Sequence, residues 1–179
     1  MLVNRGGIPL FIELLKSDDE GLVEQSVWAV SNIASDCVQN RDSLLVGGAL
    51  QSIIKVINTS NNEALKSCAA WALSNLCRGI FCLDNSAVPA PNSALTKDAT
   101  PYIARVVADP NCEIETLIDC CWALYHLSQS QANMKKIVAT PGLCGRLAEI
   151  IGYPQDQLVM PIIRIMGNIL SSTAAIYIG

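Results

Sequence analysis

Three tryptophans punctuate this 179-residue chain, and each sits in a similar phrase. "VWAVSNIASD" runs from Val27 to Asp36, "AAWALSNLCRG" from Ala69 to Gly79, and "DCCWALYHLS" from Asp119 to Ser128. Trp28 and Trp71 are 43 residues apart, and Trp71 and Trp122 are 51 apart. The phrase returns 42 residues beyond Trp122 as "RIMGN", Arg164 to Asn168. A second marker leads three of the four: "GGIPLFIELLKS" from Gly6, "GGALQSIIKVIN" from Gly47 and "TPGLCGRLAEII" from Thr140. A unit of this length cannot bury its apolar face alone, so it must stack on its neighbours.

Periods near 40–47 residues with two or three helices per unit mark HEAT or armadillo solenoids. The helices are legible independently. Leu10, Phe11, Leu14 and Leu15 form one helical stripe, and Val23, Val27, Val30 and Ile33 another. Ser17, Asp18 and Asp19 are cap residues for the helix that follows, as are Ser60 to Asn62 before Glu63. Short leading helices fit Asn40 to Val46 and Gln131 to Val138, and no segment alternates as a strand does. The expected fold is all-α: a single armadillo solenoid over 1–179, wound as a right-handed superhelix of about four repeats. The repeats are read as 1–37, 38–79, 98–130 and 131–171. Residues 80–97 form an insertion loop, because Pro89 and Pro91 lie in a stretch from Gly79 to Lys97 with no steady period.

Residues four apart share a helix face, so Trp28, Asn32 and Asp36 form a column, and so do Trp71 and Asn75. A lone Trp–Asn pair is most simply core packing. Recurrence at one phase of the repeat is different, since a core needs volume there but no mid-helix amide. Asn both donates and accepts, so it can hold the backbone of an extended peptide whatever its side chains. Neighbouring indoles make slots for the alkyl stems of Lys or Arg, with cation–π attraction of about 0.5–2 kcal/mol each. Carboxylates beyond the slots would meet the charged heads.

Composition narrows the alternatives. The chain is 51% hydrophobic and 16% charged, which requires a large packed core. A net charge of −4 argues against nucleic acid and suits basic ligands. "MLVNRGGIPL" lacks the charged start and cleavage site of a signal peptide. The apolar tract Leu158 to Gly179 carries Arg164 at its centre, and is read as a buried helix of a water-soluble fold rather than a membrane span. Eight cysteines offer no Cys-x-x-Cys and His126 is the single histidine, so no metal site and no cofactor are expected. The thiols read as reduced core residues of a cytosolic or nuclear protein. Catalysis is not expected: Cys121 and His126 are five residues apart on a helix, roughly 140° around its axis, and no phosphate loop is present.

These motifs, in this order and phase, resemble the middle of the importin-α (karyopherin-α) family, the armadillo adaptors for nuclear localisation signals. The likeness runs from about Gly6 to Leu170. "EQSVWAVSNIASD" resembles that family's third-repeat helix and "AAWALSNLCRG" its fourth; "DCCWALYHLS" resembles the fifth and "PIIRIMGNI" the sixth. The resemblance implies that Trp28, Trp71 and Trp122 line lysine slots of the major site. Asn32 and Asn75, helped by Gln25, would clamp the peptide backbone, and Asp36 would take the most discriminating lysine. Arg78 would sit near Glu115 and Asp119, interrupting the indole ladder. Arg164 and Asn168 would lie toward the minor site.

Departures from the family pattern imply weaker or altered cargo choice. Cys68 stands where the family has an Asn, His126 where Tyr is common, and the insertion is longer. The implied partners are cargo proteins bearing nuclear localisation signals, with importin-β only if a basic N-terminal arm exists, and the implied locations are cytoplasm and nucleus. The alternative is a scaffold, or a truncated relative, that has lost cargo transport. The likeness stops after Leu170, so the chain reads as a fragment or a short relative with uncapped solenoid ends, and self-association through those ends is expected.

Overall fold

The computed structural model describes residues 6–79 and 89–177, with side chains to residue 172 in the last helix. Every regular element among them is helical. Two compact units divide the chain, residues 1–91 and 92–179.

The first unit holds α1 (Gly7–Leu14), α2 (Glu20–Asp36), α3 (Val38–Val46), α4 (Ala49–Thr59) and α5 (Glu63–Cys77). Asp19 caps α2 by accepting from the backbone N–H groups of Gly21 and Leu22, and Asn62 caps α5 by accepting from Leu65, as the polar clusters led us to expect. Gly48 begins α4 at φ 87°, and Gly142 begins the corresponding helix of the second unit at φ 77°. The glycine marker of the repeat is therefore a left-handed turn that a side chain would strain. The long helices α2 and α5 pack side by side, with Val27, Val30, Leu50, Ile53, Leu73 and Leu76 in the core.

The second unit holds α6 (Ser93–Thr96), α7 (Ala99–Ala108), α8 (Ile114–Ser128), α9 (Gln131–Val138), α10 (Leu143–Ile150) and α11 (Asp156–Tyr177). The long pair here is α8 and α11, over a core of Ile103, Leu117, Leu124, Ile137, Leu147, Ile162 and Ile165. Both units thus use a pair of long helices covered by shorter ones.

Three expectations need correction. The stripe of Leu10, Phe11, Leu14 and Leu15 does mark a helix, but of the four only Leu15 is fully buried, beside Ile8 and Ile12, and Leu10 is 60% exposed. The helix is apolar nearly all round, so its pattern did not fix its phase. The tract from Leu158 is not wholly buried either. Its helix begins at Asp156, Leu158, Ile162 and Ile165 are covered, and Met160, Ile163 and Leu170 face solvent. No described helix is long and apolar enough to cross a membrane. Finally, the segment read as loop through Lys97 contains the single turn α6, because the Asn92 side chain accepts from the Ala94 N–H at 2.9 Å. Residues 80–88 of that segment lie outside the described residues.

Candidate functional site

The Trp–Asn columns sit on α2 and α5; in the second unit Trp122 on α8 and the Arg164–Asn168 pair on α11 hold the same place in the long helices. On α2, Trp28 is 58% exposed, and Gln25, Asn32 and Asp36 are exposed beside it. Asn32 Nδ2 donates to the Trp28 carbonyl at 2.9 Å, and Asp36 accepts from Asn40 Nδ2 at 2.8 Å. On α5, Trp71 is half-buried and Asn75 is buried. Asn75 Nδ2 donates to Ser31 Oγ of α2 at 2.9 Å. Ser31 adjoins Asn32, so this bond sets the two columns side by side.

At the C-terminal end of α2 a cavity of about 300 Å³ is lined by Asp36, Cys37, Arg41 and Arg78, among others. Arg41, almost fully buried, was not singled out in the sequence. It donates to the Arg78 carbonyl at the end of α5, to the Pro89 carbonyl at 2.7 Å, and to Asp42. A guanidinium against the last carbonyls of a helix offsets the negative end of its dipole and satisfies groups that have no partner within the helix. Arg78 and the Asp36 carboxylate line this cavity together.

In the second unit, Glu115, Asp119 and Trp122 lie along α8, at successive turns. Burial pushes the Asp119 carboxyl up to about 6, and the neighbouring Glu115 charge adds to the shift. Trp122 is half-buried and meets Tyr125 edge to face at 6.0 Å between ring centres. Arg164 of α11 lies across both rings, its guanidinium carbon 5.9 Å from the Trp122 centre and 5.3 Å from that of Tyr125. Its Nη1 also donates to the Tyr125 hydroxyl at 3.4 Å. Asn168 Nδ2 donates to Ser128 Oγ of α8 at 2.7 Å, the second amide–hydroxyl bridge between paired long helices. Ser31, Ser128 and Tyr125 were missed in the sequence; the only signal was polar groups at helix positions whose neighbours are core.

Among the described residues, no three His, Cys, Asp or Glu gather as metal ligands. Burial raises the Cys121 thiol, and raises that of Cys77 to about 12, which leaves both poor nucleophiles at neutral pH.

The repeated helix pairs and the ladder define the class, an armadillo-repeat protein. The family model for the armadillo/beta-catenin-like repeat matches residues 1–35. A designed armadillo repeat protein in complex with the peptide (KR)4 has the same fold, with a TM-score of 0.76 at 16% identity over 97% of this chain and 73% of that one. More particularly, the chain is homologous to importin subunit alpha along nearly its whole length. It is 33% identical to importin subunit alpha-1b of Oryza sativa subsp. japonica over 96% of this chain and 30% of that protein. It is also 33% identical to importin subunit alpha-3 of Arabidopsis thaliana, over the same shares. The chain therefore spans about 30% of the length of these relatives. Neither relative's name is that of an enzyme.

Proposed function

We propose that this chain is a peptide-binding armadillo module that takes basic, Lys- and Arg-rich nuclear localisation signals in extended form, as part of nuclear import. The observation that carries the reading is the open pair of columns on α2 and α5. Trp28 faces solvent, Trp71 is half-open, and the exposed carboxylate of Asp36 closes the α2 column. Two indoles on packed helices make a slot for an alkyl stem, and a carboxylate at its end meets the charge. Gln25, Asn32 and Asn75 would hold the peptide backbone. Asn75 gives an amide hydrogen to Ser31, and an amide has a second donor and a carbonyl besides. Glu115, Asp119, Trp122, Arg164 and Asn168 would form the peptide-binding face of the second unit, and Arg78 would repel a cation where the ladder breaks.

The homology to importin subunit alpha and the fold shared with a (KR)4-bound designed protein both support this reading. The protein would act without catalysis, in cytoplasm and nucleus, with importin-β as a partner only where a basic arm is present. The test is titration of a labelled Lys–Lys–Lys–Arg–Lys peptide. Asp36→Ala and Trp71→Ala should each weaken binding at least tenfold, and high salt should weaken it further. Equal affinity in wild type and both variants would leave the scaffold reading in its place.

A further inference from the structure

A guanidinium is costly to bury, and that of Arg41 is almost wholly covered. Its Nε and Nη2 donate to Asp42 Oδ1 at 2.9 and 2.7 Å. Its Nη1 donates to two carbonyls, that of Arg78 just past α5 and that of Pro89, the latter at 2.7 Å. Arg78 and Pro89 stand on either side of residues 80–88, so one side chain grips both ends of that segment. The two ends also touch. A Cβ added at Gly79 would come within 2.6 Å of Ala90 Cα, so no side chain fits between them.

What the grip fixes is Arg78. Its backbone leaves α5 extended, at φ −60° and ψ 123°, and its side chain lines the same cavity of about 300 Å³ as Asp36. A guanidinium and a carboxylate on one cavity attract, and pair through two hydrogen bonds where geometry allows. Among the described residues Arg78 makes no ion pair, and Asp36 accepts from Asn40 Nδ2 at 2.8 Å instead.

We infer that Arg41 is a positioning residue of the peptide site: by holding the Arg78 and Pro89 carbonyls it keeps the Arg78 guanidinium off Asp36, and so leaves that carboxylate to an incoming cation. This rests on the peptide-binding reading above. The grip needs the flat fork of arginine, because an ammonium is a point charge and cannot face Asp42 and both carbonyls at once. Once the grip loosens, Arg78 turns to Asp36, and the protein's own cation takes the place of the peptide's.

The test is a double-mutant cycle on the 179-residue chain, read by titration of the labelled Lys–Lys–Lys–Arg–Lys peptide. Arg41→Lys should weaken binding about tenfold, as the loss of one anchoring charge does. Adding Arg78→Ala should restore it, because no guanidinium is left to reach Asp36. That gain should be about tenfold larger than the same substitution gives in wild type. Gly79→Ala wedges the two ends apart without touching Arg41. It should reproduce both the loss and its rescue even if Arg41→Lys folds poorly. Without any peptide, the Nε–H resonance of Arg78 reports the pair: Asp36→Asn should move it in the Arg41→Lys chain and leave it in place in wild type. A folded Arg41→Lys chain that binds as tightly as wild type overturns the inference. So does an equal gain from Arg78→Ala in both backgrounds, which would make the role of Arg41 merely structural. A wild type that binds no peptide removes the function proposed above instead, and the resonance alone then decides whether Arg41 holds Arg78 away.

Discussion

Trp28 and Trp122 hold the same place in the repeat but not the same surroundings. In the first unit Trp28 is open, and the nearest polar event is Asn32 returning to the Trp28 carbonyl. In the second unit the face of Trp122 is shared with Tyr125 and crossed by Arg164. The protein leaves the Trp28 indole open and lays a guanidinium of its own against Trp122. A ladder read only as repeated Trp and Asn treats these as equal steps; under the proposed function the first would take an outside cation, whereas the second already carries Arg164. Both units keep the same scaffold beneath, a pair of long helices joined by an amide and a hydroxyl.

Peptide binding is the strongest way to break that comparison. Trp28→Ala and Trp71→Ala should each weaken a basic peptide by about 2 kcal/mol, some thirtyfold, because they remove an open hot-spot aromatic. Trp122→Ala should cost only about 0.5 kcal/mol, since its face already carries a guanidinium. Calorimetric titration of the three variants with one Lys-rich peptide decides it. Equal losses at all three would mean that Arg164 swings aside without cost.

Much of the fold was written in the period, and the reasons it failed elsewhere are physical. Asp19 and Asn62 were readable as caps because a short polar side chain before an apolar run has one obvious use. The phase of α1 was not readable, because Leu10, Phe11 and Leu14 are as apolar as Ile8 and Ile12 and only packing chose between them. Nothing within "QNRDS" marks Arg41 as a buried residue. What buries it is the end of α5 and Pro89, 37 and 48 residues away, which no local pattern announces. The columns were visible in the sequence as recurrence, but not the stacking of Arg164 over Tyr125, which needs α8 and α11 in contact.

The shared scaffold offers the next test, in stability. Asn75→Ala should destabilise the chain by about 1–2 kcal/mol, because it opens a buried gap and leaves the Ser31 hydroxyl without its donor. Asn168→Ala, at a half-buried position, should cost about half as much. Denaturant melts with unchanged slope would check both, and a larger loss at Asn168 would reverse the order of burial. Asp119 separates the units by pH. Its folded pKa of about 6 lies above the usual 3.8, so the folded chain binds this proton more tightly than the unfolded chain. The carboxyl is harmless below pH 4 and destabilises progressively as pH rises through 6. Asp119→Asn should therefore stabilise at pH 7 by about 1 kcal/mol, allowing for its partial exposure, and raise the melting temperature by roughly 2–4 °C. At pH 4 the variant and wild type should melt together.

The smallest effect is the most direct on the difference between the two slots. Arg164 is exposed, so the contacts it makes with Trp122 and Tyr125 are only partly desolvated, and their loss in Arg164→Ala should cost about 0.5 kcal/mol of stability. The same substitution uncovers the indole face. A long basic peptide that engages Trp122 should then bind about threefold tighter, while a peptide bound at Trp28 and Trp71 alone should not change. Arg164→Lys should fall between, because the ammonium keeps the charge but loses the flat stacking of the guanidinium on Tyr125. Indole fluorescence of Trp122, in a chain whose Trp28 and Trp71 are replaced by Phe, would report the uncovering without any peptide. An Arg164→Ala variant whose Trp122 emission and long-peptide affinity both match those of its parent would show that the second slot was never closed, and that the two units differ in sequence without differing in use.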